Sequence, residues 1–315
     1  MDFTYKDAMQ TYAEKDWMEF VFFAANVQHL LWINNFNIQQ QLYLQTCNYA
    51  IKQANTIGNK FRFEKKWMRF FPKEAPSFIL TFHFGQYRAI PAFLIQQGYK
   101  LCIPVSREVI VQQEQYYSKL VGEDWGAQLL FLEAEDPHLF FKIRRQMALG
   151  FHVLCYLDGA VSAVADELRK LVKIPFLNGT ISVQQGIIRM AFLLKTKISV
   201  LIADPHSDNE VLAIHGLDFC DTDWYRYDKD FAGYYLRKIY LDFEDVLLRE
   251  PQAWEPWLYL HRNMRPDSEQ GRWNGSSRLI PFKHNGSYLL LDKFTYLSYS
   301  VSCKDFDRLN QLICV

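Results

Sequence analysis

The chain has 315 residues, half of them hydrophobic and 16% aromatic, enough apolar surface for one large core with a small appendage, which excludes a disordered chain. Lysine plus arginine equals aspartate plus glutamate at 35 each, so no net field draws the protein to nucleic acid or to an anionic membrane. Cys47, Cys102, Cys155, Cys220, Cys303 and Cys314 lie far apart, with no Cys-x-x-Cys pair and no zinc spacing, and read as buried reduced thiols in a cytoplasmic protein.

Over residues 1–70 apolar and aromatic side chains recur at three and four, which predicts an N-terminal helical region. Its longest apolar stretch, Phe20 to Phe36, is interrupted by Asn26, Gln28, His29, Asn34 and Asn35, whereas a spanning helix needs about 20 largely apolar residues. The stretch reads as an amphipathic helix that packs on a core or, at most, lies peripherally on the inner face of a membrane. The first residues lack the cationic and apolar order of a signal peptide. A basic run, Lys65, Lys66, Arg69 and Lys73, is open to two readings, a phosphate contact or a solvated helix face.

Residues 71–265 alternate strand and helix signals. Ser77 to Phe82 is a short buried strand ended by His83 and Gly85, before a helix from Tyr87 to Gln97. Strands follow at Lys100 to Val105, Ala127 to Leu132, Phe151 to Leu157 and Ile198 to Ala203. Helices are predicted over Val109 to Val121, Pro137 to Leu149, Gln184 to Lys195 and Asp230 to Glu250, with a loop at Leu177 to Thr180. Repeated βα units predict a three-layer α/β fold with a mainly parallel, mixed central sheet flanked by helices. Residues 266–315 form a separate C-terminal appendage, because composition shifts after Pro266 and an Asn285-Gly286 turn joins two apolar strands into a hairpin ahead of a helix at Lys304 to Ile313.

Several catalytic signatures are missing: there is no Gly-x-Gly-x-x-Gly, Walker loop, Gly-x-Ser-x-Gly elbow or His-Glu-x-x-His. The loop Asp204 to Glu210 has no second cluster to complete a metal ligand set, so no metal site is expected. His83 ends a strand, where open α/β sheets place their ligands. His152 precedes a buried strand and reads as structural, and Asp166 to Lys170 as a solvated loop that could close over the site.

His83-Phe-Gly-Gln-Tyr-Arg88 resembles the first block, His-x-x-x-x-Asp or Glu, of the lysophospholipid and lipid A acyltransferases. Further blocks follow in that family's order over roughly residues 75–265. These are Val105-Ser-Arg107, Tyr156-Leu-Asp158-Gly159, Ile174-Pro-Phe-Leu-Asn-Gly179, and the closing Pro251 to Arg262 with Trp257, His261 and Arg262. The resemblance implies a histidine base that takes a proton from an acceptor while the acceptor attacks an acyl thioester on coenzyme A or on the phosphopantetheine of an acyl carrier protein. No other cofactor is implied.

Arg88 stands where the family carries the acid that orients the histidine, and a guanidinium cannot accept an imidazole N–H. Three readings are open. Asp158 supplies the acid instead; or the acceptor is an amine or thiol and Arg88 binds an anionic group; or the protein is a catalytically silent relative that binds an acyl or carrier partner. The resemblance thus implies His83 as base and Asp158 as orienting acid, with Gln86, Arg88 and Arg107 as substrate contacts. It also implies Gly179 among the backbone N–H groups that hold the thioester oxyanion. The expected activity is acyl transfer to a hydroxyl or amine; the alternative is a partner subunit that grips a peptide or carrier domain through its C-terminal module.

Overall fold

The computed structural model describes residues 13–55, 60–63, 73, 75–121, 127–159, 171–205, 211–222, 230–262 and 278–313. Two helices open it, α1 (Glu14–Leu31) and α2 (Phe36–Asn55), and a short strand β1 (Lys60–Phe63) follows, where the sequence predicted helix throughout. The α/β core then runs β2 (Phe78–Thr81), α3 (Ile90–Gln96), β3 (Lys100–Val105), α4 (Arg107–Val121), β4 (Leu129–Glu133), α5 (Leu139–Ala148) and β5 (Phe151–Tyr156). A hairpin, β6 (Leu171–Phe176) and β7 (Gly179–Gln184), leads into α6 (Gly186–Leu193), β8 (Lys197–Ala203), β9 (Val211–Asp221) and α7 (Phe231–Leu247). Three 3₁₀ turns cover Pro251–Ala253, Glu255–Leu258 and Leu260–Arg262, and β10 (Leu279–His284), β11 (Ser287–Asp292), β12 (Ser298–Ser300) and α8 (Cys303–Ile313) end the chain.

The central sheet has seven strands in the order β1-β9-β8-β2-β5-β3-β4. Every neighbouring pair is parallel except β8 and β9. The expected α/β class and mainly parallel sheet are therefore observed. Besides β1, the strands that were not predicted include β7, which pairs with β6 across the stretch read as a loop, and β9.

Successive residues of the inner strands point to opposite faces, and both faces are covered. On one face Phe78, Leu80, Cys102, Val153, Cys155, Ile198 and Val200 share a core with α1, α5, α6 and α7. On the other, Ile79, Leu101, Ile103, Leu154 and Leu201 pack with Ile90, Phe93 and Leu94 of α3. Strands buried on both sides read as continuous apolar runs, which is why the sequence exposes them so plainly.

The terminal regions join the larger core. Phe20, Phe23 and Val27 of α1 and Ile280, Phe282 and Leu291 of the C-terminal module belong to the same apolar cluster as the sheet. The Trp17 indole N–H donates to the Pro281 carbonyl at 2.9 Å, and Asn26 Nδ2 donates to the Trp257 carbonyl at 2.8 Å. The longest apolar stretch is thus a core helix, and no helix among the described residues is long and apolar enough to cross a membrane. Both expected boundaries, 70/71 and 265/266, fall outside the described residues, as do Lys65, Lys66, Arg69 and the loop Asp166 to Lys170. Cys303 is exposed, contrary to its reading as a buried thiol, because it opens α8 on the solvent face.

Candidate active site

Chain direction selects the site. The connection leaving β2 runs past β5 to β3, whereas the one leaving β5 returns across β2 to β8. The crevice between β2 and β5 at their carboxyl ends is therefore a topological switch point, the usual ligand position in such sheets. The register Thr81↔Tyr156 continues beyond the strands, with the Leu157 N–H donating to the Thr81 carbonyl at 2.9 Å. Two residues further along each chain, the same register sets His83 opposite Asp158.

His83 Nδ1 lies 2.8 Å from Asp158 Oδ1. The His83 backbone N–H reaches the same carboxylate at 2.9 Å and 3.1 Å, and the Trp254 indole N–H donates to Oδ2 at 2.7 Å. Asp158 is 3% exposed, so this set of N–H donors compensates a buried carboxylate. Its charge also adds to the effect of burial in holding the Tyr240 and Tyr259 hydroxyls well above the usual phenol range. Tyr156 stacks on the His83 ring at 4.6 Å and Tyr87 meets it edge-on at 4.8 Å, which fixes the plane of the imidazole.

With Nδ1 committed to Asp158, Nε2 is the ring nitrogen left for the cavity that His83 lines. That cavity has a volume of about 680 Å³. Val109, Leu139, Ile187 and Met190 give it apolar walls, and Ser106, Glu135, Gln185 and Arg189 bring polar groups. Cys155 also lines it, but burial holds its thiol well above the ordinary cysteine range, so it is not an available thiolate.

Arg88 is held by Tyr87 and Glu255. Its Nε donates to Tyr87 Oη at 2.9 Å, its terminal nitrogen lies 3.7 Å from Glu255 Oε2, and the Tyr87 hydroxyl donates to that oxygen at 2.6 Å. Burial lowers the guanidinium pKa, but the hydrogen-bonded Tyr87 oxygen and the Glu255 carboxylate outweigh it and hold the pKa above its ordinary value. Three other expected contacts are not among the residues that line the cavity. Arg107 is 79% exposed and turned to Glu133 at 2.7 Å, because the β3–β4 register brings that carboxylate beside its strand end. Gly179 starts β7 at the far end of the hairpin, where an added Cβ would sit 2.8 Å from Leu30 Cδ2. The cavity is lined from the opposite end of β7, by Gln184. Gln86 is buried at the start of the Tyr87–Ala89 turn, where its carbonyl accepts the Ala89 N–H, and is not a cavity residue.

The role of Trp254 was missed. A Trp in an aromatic closing segment reads as core, and Trp254 is indeed fully buried, yet its N–H is spent on Asp158. Of the closing pattern, His261 stacks on Phe22 of α1 at 4.4 Å, away from the cavity. His152 is structural, with Nδ1 3.1 Å from Ser77 Oγ. Asp204 lies 3.2 Å from His215 Nε2; residues 206–210 lie outside the described residues, among which no three His, Cys, Asp or Glu side chains converge as a metal set.

Compared as a whole, the chain matches no protein-family model and no curated protein.

Proposed function

We propose that the protein is an acyltransferase that moves an acyl group from a thioester of coenzyme A or of an acyl carrier protein to a hydroxyl or amine acceptor. The observation that carries this reading is the 2.8 Å contact of the buried Asp158 with Nδ1 of His83, which lines a cavity. A carboxylate on Nδ1 fixes the tautomer whose Nε2 lone pair faces substrate, and it stabilises the imidazolium formed when that nitrogen takes a proton. The acceptor oxygen or nitrogen then attacks the thioester carbonyl, and collapse of the tetrahedral adduct expels the thiolate, which leaves as thiol with the proton from Nε2.

The pair also answers the loss of acid at Arg88, since a carboxylate serves the histidine from the neighbouring strand. That favours the transferase over the silent partner subunit, for which the missing acid was one argument. The apolar walls suit an acyl chain and the polar groups an acceptor. We place the reaction in the cytoplasm, where such thioesters are made, with at most peripheral membrane contact.

Thioester consumption by wild type, His83→Ala and Asp158→Asn tests this on a panel of acyl-coenzyme A and acyl-carrier donors with hydroxyl and amine acceptors. Turnover that falls by roughly two or more orders of magnitude in His83→Ala supports the reading. Turnover that survives the substitution, or no donor consumed under any pairing, overturns it.

A further inference from the structure

Residues 83–85, just beyond β2, are bound to the closing segment as if by a short antiparallel ladder. The Glu255 N–H donates to the His83 carbonyl at 3.0 Å, the Gly85 N–H donates to the Ala253 carbonyl at 3.0 Å, and Phe84 bridges Trp254. Trp254 sits at the centre of this contact, so the place of its indole N–H depends on how firmly residues 253–255 are held to residues 83–85. On the solvent side the Tyr87–Arg88–Glu255 cluster makes a second clasp across the same junction, by the 2.6 Å and 2.9 Å bonds. On the inner side Trp254 packs against Phe176, Phe243 and Trp257, which fixes its ring.

We propose that Trp254 is a positioning residue that holds Asp158 on His83, and that Arg88 works on the same pair through Glu255, by locking the segment that carries Trp254. This rests on His83 acting as the base. Asp158 is approached by N–H groups from two segments, His83 on one and Trp254 on the other. Removing the indole N–H leaves Oδ2 without its shortest donor in a buried setting, and a carboxylate freed on that side is no longer confined to the plane of the imidazole. Arg88, at the position where the resembling enzymes carry their acid, then has a different use. The acid comes from β5, and the vacated turn position serves to clamp the element that orients it.

The first readout needs no substrate. ¹⁵N NMR of the His83 ring in the full chain reports whether Nδ1 carries the proton, with His83→Gln to assign the signal. Wild type is expected to show the Nδ1–H tautomer, and Trp254→Phe a mixture of tautomers. Because Trp254 is buried, a second variant replaces it with 3-benzothienylalanine, which keeps the ring shape and lacks the N–H.

Kinetics on the donor identified above then separate positioning from binding. Either Trp254 change should lower kcat by roughly ten- to hundredfold, the worth of one hydrogen bond to a charged group, with KM changed less than about twofold. Arg88→Met should lower kcat less, and adding it to the benzothienyl variant should cost nothing further, since both act through one N–H. An unchanged tautomer and kcat in the benzothienyl variant overturn the role of Trp254. Multiplying rather than merging effects overturn the route from Arg88 through Trp254. A wild type without transferase activity removes the proposed function, while the NMR result still decides whether Trp254 holds the pair.

Discussion

A Cβ added to Gly85 would lie 2.0 Å from the carbonyl oxygen of Ala203, at the end of the neighbouring strand β8. Residue 85 also has φ +62°, in the left-handed region, so the turn that presents His83 needs glycine twice over, for conformation and for room. The contact is with backbone of a central strand, which cannot swing aside as a flexible side chain can.

Gly85→Ala should therefore cost several kcal/mol, the conformational penalty compounded by the clash. Gly150→Ala provides the comparison, because φ there is +88° but no atom lies within 4 Å of an added Cβ. That change should cost only the conformational part, about 1–2 kcal/mol. Urea midpoints at constant m-value measure both. Equal losses at the two sites would mean that the Ala203 contact yields and that the turn is not sterically pinned.

The sequence revealed the parts of this architecture whose side chains all answer to one environment. β2, β3, β5 and β8 are apolar along most of their length because both faces are covered. β9 was hidden because His215, Gly216, Asp218 and Asp221 break its pattern, and a strand that runs antiparallel to β8 beside the edge strand β1 needs no continuous apolar run. β7 was hidden by Thr180, Ser182 and Gln184, which alternate with apolar residues over too short a span to outweigh the loop signal around Asn178 and Gly179.

The site divides in the same way. His83 and Asp158 were each legible as polar residues closing a strand, but their meeting depends on β2 lying beside β5, and strand order is a property of the whole sheet. Arg107 was read as a site contact from the family resemblance of its block, and the competing Glu133 becomes visible only once β4 is known to flank β3. Trp254 shows the opposite error. Its burial was anticipated and its polar atom was left unaccounted for, although a buried indole N–H needs an acceptor.

His261 should make stability depend on pH in the acid range. Burial, reinforced by the Arg262 charge, pushes its pKa down to about 4 from an ordinary 6.5, and its Nδ1 is buried without a partner. The folded protein keeps this ring neutral while the unfolded chain takes up a proton, so between pH 4 and 6.5 the unfolded state binds more protons and stability falls as pH falls. His261→Phe keeps an aromatic ring on Phe22 and removes the titration. Across that window the variant's stability should fall less steeply than the wild type's, by up to about 1.4 kcal/mol per pH unit, the slope of one linked proton. The remaining slope includes His29 and His152, both also lowered by burial. Parallel denaturation curves for the two proteins from pH 4 to 6.5 would sink this assignment.

The mirror case lies at alkaline pH, in the C-terminal module. Lys293 follows β11, is 1% exposed, and burial pushes its pKa down to about 7 from 10.5. Around it are His29 of α1, whose Nε2 lies 2.7 Å from the Lys293 carbonyl, Asp292 held by Arg278 at 2.6 Å, and the partly buried Tyr296 ring stacked on His29 at 5.0 Å. Between pH 7 and 10.5 the unfolded chain carries this proton and the folded chain sheds it, so this group makes stability rise with pH across that window. At pH 7 and below, the folded state bears nearly the whole penalty of a charged, desolvated ammonium. Lys293→Met retains an unbranched apolar stem of similar reach and removes the charge. It should stabilise the protein by a few kcal/mol at pH 6 to 7, and the advantage should shrink steadily toward pH 10, as measured by urea unfolding of wild type and variant side by side. A constant offset between the two proteins over that range would show instead that Met merely packs better and that Lys293 is not titrating in the fold.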